Sequence, residues 1–151
     1  MLKYNLSQID NISEKILLNL SEADCIFLFG ELGSGKTTFA RSLINQLQKK
    51  NKVSQTEVLS PTFNLLHEYE IKSLKVLHYD LYRLKTNKEV DQLGIFEDNK
   101  NVITIIEWPE IIKKDIEDRL EISFYYEKES ENRKIDFKGF GKWKNFKLNA
   151  I

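Results

Sequence analysis

The chain is 151 residues long, 41% hydrophobic and 30% charged, the size and composition of a globular domain with one hydrophobic core, which excludes a disordered or fibrous protein. Lysine plus arginine balances aspartate plus glutamate at 23 each, so no net positive field holds nucleic acid by counterion release, and any RNA would rest mostly with a partner. The lone Cys25 excludes a disulfide framework, Met1-Leu2-Lys3-Tyr4-Asn5 leads into no apolar signal core, and no stretch is long enough to span a bilayer, so a cytoplasmic protein without membrane contact is expected.

In chain order, Asn11-Ile12-Ser13-Glu14 has capping-box spacing, and Ile12, Ile16, Leu17 and Leu20 follow at helical intervals, which predicts a short amphipathic helix. Cys25-Ile26-Phe27-Leu28-Phe29 reads as a strand with a buried core thiol. After a glycine-rich turn, Phe39, Ala40, Leu43, Ile44 and Leu47 form the apolar stripe of a helix packed on a sheet. Lys75 to Asp80 and Val102 to Glu107 are apolar segments that each end in a carboxylate, with a helical stretch from Lys85 to Leu93 between them; the β-branched Val102–Ile106 run suits a strand covered on both faces. Ile122, Phe124 and Tyr126 alternate, as do Ile135 and Phe137, with a polar turn at Lys128 to Asn132, which predicts antiparallel strands appended to a parallel core. No repeat or Pro/Gly-rich linker divides the chain. The expectation is one domain over residues 1–151, of α/β class and P-loop NTPase type, with a mostly parallel sheet flanked by helices and antiparallel strands toward the C-terminus.

Gly30-Glu31-Leu32-Gly33-Ser34-Gly35-Lys36-Thr37 matches G-x-x-x-x-G-K-[ST] and lies between a predicted strand and a predicted helix, the context the motif needs. Glycines let backbone N–H groups close on phosphate oxygens, and the helix presents its positive end to the same anion. The loop from Glu31, Leu32, Gly33, Ser34 and Gly35 through Lys36, Thr37 and Thr38 is therefore the expected nucleotide site, with Lys36 reaching the β and γ phosphates and the Thr37 hydroxyl on Mg2+. Such a site also needs a carboxylate at the tip of a neighbouring parallel strand, and Asp80 and Glu107 both qualify. Either can hold the metal directly or through water. Ser60-Pro61-Thr62 reads on spacing alone as a plain turn, with a γ-phosphate-sensing threonine as the alternative. His67 and His78 are too far apart for a metal pair and read as surface or strand residues, and Trp108-Pro109 ends its strand abruptly with the indole either in the core or at a contact.

Five segments in this order, Gly30 to Thr37, Ser60-Pro61-Thr62-Phe63, His78-Tyr79-Asp80-Leu81-Tyr82-Arg83-Leu84, Leu93-Gly94-Ile95 and Glu107-Trp108-Pro109, are similar to the pattern of the TsaE family, and the resemblance covers most of the chain. It implies an ATPase that works with two other subunits, of TsaB and TsaD type, to place a threonylcarbamoyl group on the adenosine beside the anticodon of tRNAs reading codons that begin with A. It also implies ATP and Mg2+ as ligands, Thr62 as a switch residue, Glu107 with Thr37 as the direct magnesium ligands, and Asp80 as a catalytic acid or one that holds the metal through water. Arg133 stands where the family often has an arginine near the nucleotide, and the tail after Leu120 matches only in general character.

Other classes fit less well. Asp91-Gln92-Leu93-Gly94 has the spacing of a GTPase DxxG element, yet no apolar strand leads into it, and the guanine-reading N-K-x-D is absent because Asn87-Lys88-Glu89 continues to Val90. A small-molecule kinase usually closes a lid bearing several arginines, whereas Arg41, Arg83, Arg119 and Arg133 are dispersed with no evident lid insertion, so water is the expected acceptor. A nucleotide-gated interaction module blends with the favoured reading. Lys138, Lys142, Lys144 and Lys147 alternate with Phe140, Trp143 and Phe146, which suits the solvated side of a strand or short helix better than an RNA track, so no strong direct tRNA binding is expected.

Overall fold

A computed structural model describes residues 1–97, 99–127 and 133–149. The expected turn at Lys128 to Asn132 lies outside them. Strands β1 (Leu2–Tyr4), β2 (Cys25–Phe29), β3 (Leu66–Ile71), β4 (Leu74–Asp80), β5 (Val102–Glu107), β6 (Arg119–Tyr126) and β7 (Arg133–Gly139) form a seven-stranded sheet in the order β1-β7-β6-β2-β5-β4-β3. Pairing is parallel across β6, β2, β5 and β4, and antiparallel at β3, β7 and β1. Helices α1 (Ile9–Leu17) and α2 (Lys36–Lys50) pack together against one face, while the short α3 (Asn87–Gln92) belongs to the other.

The pleat sorts the core. From β2, Ile26 and Leu28 join Ile103 and Ile105 of β5 beneath Ile12 and Ile16 of α1 and Phe39, Leu43 and Ile44 of α2. Cys25 and Phe27 point the opposite way, to Tyr79, Ile106, Val90 and Ile95. Every residue of β5 is buried, the signature of a central strand covered on both faces. Burial pushes the Cys25 thiol well above its usual range, which leaves it an inert core side chain.

One expectation is corrected and one is extended. The helix α1 begins at Ile9, one turn before the Asn11-to-Glu14 signal, because the inward stripe already starts at Ile9 and a 3-10 turn at Leu6–Gln8 feeds it, with the Asn5 N–H donating to Gln8 Oε1 at 2.8 Å. Leu20 lies past the helix end, packed against the core. Second, β6 and β7 pair antiparallel as expected, and β6 in addition joins the parallel core directly through β2, Ile26 opposite Leu120 and Leu28 opposite Ile122. Its alternation arises because Leu120, Ile122 and Phe124 are buried while their neighbours are not, a pattern that one-sided covering produces in a parallel strand as readily as in an antiparallel one.

Beyond β7, a 3-10 turn at Gly141–Trp143 inserts the Trp143 indole into the core, where Nε1 donates to Oδ1 of the buried Asp24 at 3.2 Å. Lys142 pairs with the same carboxylate, while the exposed Lys138, Lys144 and Lys147 face solvent. Asp24→Ala strands the buried indole N–H, and a loss of about 1–3 kcal/mol in equilibrium urea unfolding is expected.

Candidate functional site

The loop between β2 and α2 is shaped by close approach. Gly30 has φ of 144°, and a Cβ there would lie 2.6 Å from Ser34 Oγ and 2.7 Å from the Phe124 carbonyl oxygen. Gly35, at φ 117°, turns the chain directly into α2. The first turn of α2 therefore opens onto a cleft of about 260 Å³ at the carboxyl ends of the parallel strands, where open α/β sheets bind their ligands.

Lys36 and Thr37 are the first residues of α2. Lys36 is 4% exposed, its Nζ donating to the carbonyls of Gly30 at 2.6 Å and Glu31 at 3.0 Å and lying 4.1 Å from the centroid of the Trp108 ring. Burial pulls its pKa below the ordinary lysine value, and the nearby Glu107, Asp80, Glu110 and Glu31 carboxylates push the other way. Thr37 Oγ1 donates to Glu107 at 2.9 and 3.0 Å from the two carboxylate oxygens. The other oxygen-bearing pair repeats the arrangement one strand over: Thr62 Oγ1 donates to Asp80 Oδ2 at 2.7 Å, and Tyr82 N–H to Asp80 Oδ1 at 3.0 Å. Both acids are nearly fully buried.

Around these sit the supports. Arg83 Nε donates to the Thr62 carbonyl at 2.9 Å and its Nη2 to that of Phe63, fastening the Ser60-Pro61-Thr62 loop beside β4. Arg133 Nη1 donates to the Ser34 carbonyl at 3.0 Å while its guanidinium lies 4.2 Å from the Tyr126 ring centroid. Trp108, in the left-handed region at φ 58°, leaves β5 to pack on Tyr82 with 4.8 Å between ring centroids.

Leu32, Gly33, Gly35, Lys36, Thr37, Thr38, Thr62, Asp80, Glu107 and Arg133, ten of the residues singled out in the sequence, line one cleft. Glu31 and Ser34 do not: Glu31 offers its carbonyl to Lys36, and Ser34 is turned inward with its hydroxyl buried and unpartnered. Trp108 is a contact residue of the cleft, half-buried, and so settles between its two readings. Leu6, Ser60 and Tyr82 also line the cleft; Ser60 and Tyr82 stand in quoted motifs without a role of their own, and Leu6 was missed. Sequence reasoning also missed His78, read as a surface or strand residue, which is a strand residue of β4 but wholly buried, with Nε2 2.8 Å from Glu107 Oε1. The available signal was its position two residues before Asp80, on the same face of the strand.

The donors that meet here are oxygens, the Thr37 hydroxyl and the Glu107 carboxylate with Asp80 close by, and among the described residues no group of three or more His, Cys, Asp or Glu could hold a metal alone. That set fits magnesium, which keeps most of its shell as water and substrate phosphate and takes one or two protein oxygens.

A parallel-cored sheet whose central strand runs through a glycine loop into a helix, with strand-end acids at the loop, is the architecture of a P-loop NTPase-like protein. The crystal structure of Bacillus subtilus YdiB shares the fold, with a TM-score of 0.67 over 93% of this chain and 86% of that one at 23% identity. The family model for "Threonylcarbamoyl adenosine biosynthesis protein TsaE" matches residues 4–135, and the chain belongs to the TsaE family. Relatives named tRNA threonylcarbamoyladenosine biosynthesis protein TsaE include that of Rickettsia typhi, 41% identical over 68% of this chain and 69% of its own length, and that of Aquifex aeolicus, 37% identical over 66% and 68%. The Haemophilus influenzae protein of that name is 37% identical over 64% of this chain and 60% of its own. Among the described residues no helix is long and apolar enough to cross a membrane.

Gly35→Ala tests the loop geometry. A Cβ at φ 117° is strained by about 1–3 kcal/mol, although the nearest atom, the Tyr4 hydroxyl at 3.4 Å, leaves room for it. The variant is expected to fold with that loss of stability in urea titration and to lose triphosphate binding in calorimetry.

Proposed function

We propose that this chain is a magnesium-dependent ATP-binding and ATP-hydrolysing subunit required for threonylcarbamoyl modification of the adenosine beside the anticodon in tRNAs reading codons that begin with A. In this reading it is one P-loop ATPase domain over residues 1–151, cytoplasmic, acting as a switch on catalytic partner subunits of TsaB and TsaD type. Family membership supports the pathway. The observation that carries the chemistry is the meeting of the phosphate loop with two buried carboxylates in one cleft, each bound by a threonine hydroxyl.

The backbone from Glu31 to Thr38 and the positive end of α2 bind the phosphates. Lys36 exchanges its bonds to the Gly30 and Glu31 carbonyls for the β and γ phosphate oxygens. Thr37 and Glu107 hold magnesium, which when bound neutralises charge on the phosphate oxygens. Asp80, oriented by Thr62 and the Tyr82 N–H, is placed to orient the attacking water and accept its proton. Arg133 braces the loop through the Ser34 carbonyl and adds positive charge at the cleft. Thr62 senses the γ phosphate, and because Arg83, in the turn after β4, links the carbonyls of Thr62 and Phe63, a change at Thr62 reaches the outer surface where Phe63 is 84% exposed. The absence of N-K-x-D supports ATP over GTP, and the neutral charge balance supports a protein that leaves tRNA to its partners.

Binding and turnover separate these roles. Calorimetric titration with Mg-ATP is expected to show binding abolished in Lys36→Ala and magnesium dependence lost in Thr37→Ala; unchanged affinity in both removes the phosphate-loop assignment. Asp80→Asn and Glu107→Gln are expected to retain nucleotide while turnover, measured alone and with the two partner subunits, falls roughly a hundredfold, on the order of 3 kcal/mol. Wild-type turnover in either variant makes that acid structural.

A further inference from the structure

His78 leaves β4 on the same face as Asp80, fully enclosed. Its Nε2 lies 2.8 Å from Glu107 Oε1, and its Nδ1 is buried with no hydrogen-bond partner. A carboxylate only accepts, so the network assigns the donated proton to Nε2 and leaves Nδ1 without a partner. An apolar side chain would spare the fold that unpartnered nitrogen, so the contact with Glu107 is what the imidazole contributes. Glu107 accepts from two side chains, Thr37 and His78. They differ in exposure: the Thr37 oxygen lies in the cleft, open to competition from metal or phosphate, whereas His78 does not line it.

We propose that His78 is a positioning residue that sets the orientation of the Glu107 carboxylate toward magnesium. The inference rests on the reading of Glu107 as a metal ligand given above. A hydrogen bond from behind fixes which carboxylate oxygen faces the cleft, and partners of this kind account for about ten- to hundredfold in metal affinity at other sites. Thr37 contacts both carboxylate oxygens and His78 only Oε1, so Oε1 keeps its buried donor when Thr37 takes up a ligand.

The test uses two amides in the full-length chain. His78→Gln carries an N–H donor to about the Nε2 position, whereas the His78→Asn amide stops one methylene short. ATP binding is measured by calorimetry in EDTA and across a magnesium series. His78→Asn is expected to leave metal-free ATP affinity unchanged and to raise the magnesium needed for half-maximal enhancement by about ten- to hundredfold, with His78→Gln close to wild type. The shift should vanish in a Glu107→Gln background, where His78→Asn adds nothing. Wild-type magnesium dependence in His78→Asn overturns the proposal, as does an equal loss of metal-free binding in both amides or an additive effect with Glu107→Gln. If instead the wild-type chain binds ATP no better with magnesium than without it, the metal reading of Glu107 itself fails.

Discussion

Parallel pairing of β2, β5 and β4 sets Leu28, Glu107 and Asp80 in one row across the sheet, with Leu28 opposite Glu107 and Glu107 opposite Asp80. The row falls where β2 is about to enter the glycine loop, so two acids from two strands reach the level of the loop without any loop of their own having to be ordered. A one-residue slip of β5 would turn Glu107 to the opposite face and bury Ile106 in its place. The continuous apolar run of β5 forbids neither face by itself. What selects the register is the polar end, because Glu107 finds donors in Thr37 and His78 only on the α2 face, and an ionised carboxylate without donors in that setting costs several kcal/mol.

This explains how much could be seen in the sequence. The loop, α2 and β5 were legible because each carries a local pattern: spacing of glycines, an apolar stripe, a β-branched run. Asp80 and Glu107 were legible as strand ends, and Thr62 stood out as a switch residue only by family resemblance, while its contact to Asp80 was not foreseen, since its loop reaches β4 across 18 residues of sequence. His78 was not legible as a partner of Glu107, because a contact across 29 residues depends on which strands neighbour one another, and strand order is not written in any one segment. The same limit hid the parallel placement of β6. Its alternating burial reports how many faces are covered and says nothing about the direction of its neighbour.

Lys36 shows how a buried ammonium is kept without an idle charge. Its ammonium is buried, so it must be solvated by the protein, and two carbonyls of its own loop and the face of Trp108 do this. Under the proposed reading, phosphate binding is therefore an exchange. The carbonyl bonds are given up for charge-assisted ones, and the net gain is smaller than the contact distances alone suggest. The Trp108 ring also packs on Tyr82, a support that does not depend on the lysine.

The two threonine–carboxylate pairs give the site its logic. Thr37 belongs to α2 and Thr62 to the loop before β3, yet each donates its hydroxyl to an acid on adjacent strands, Glu107 and Asp80. A ligand that competes for either hydroxyl oxygen therefore alters the surroundings of one acid and, through the chain bearing that threonine, the position of one segment. For Thr37 the segment is the long α2, packed along its length into the core, which resists displacement. For Thr62 it is a surface loop fastened by Arg83 to the turn after β4, beside the exposed Phe63 and Leu59. Under the proposed reading, the surface loop is the one that responds. On that reading, the same interaction repeated on a packed helix and on a surface loop would separate holding the nucleotide from reporting it, the division of labour that a switch on partner subunits requires.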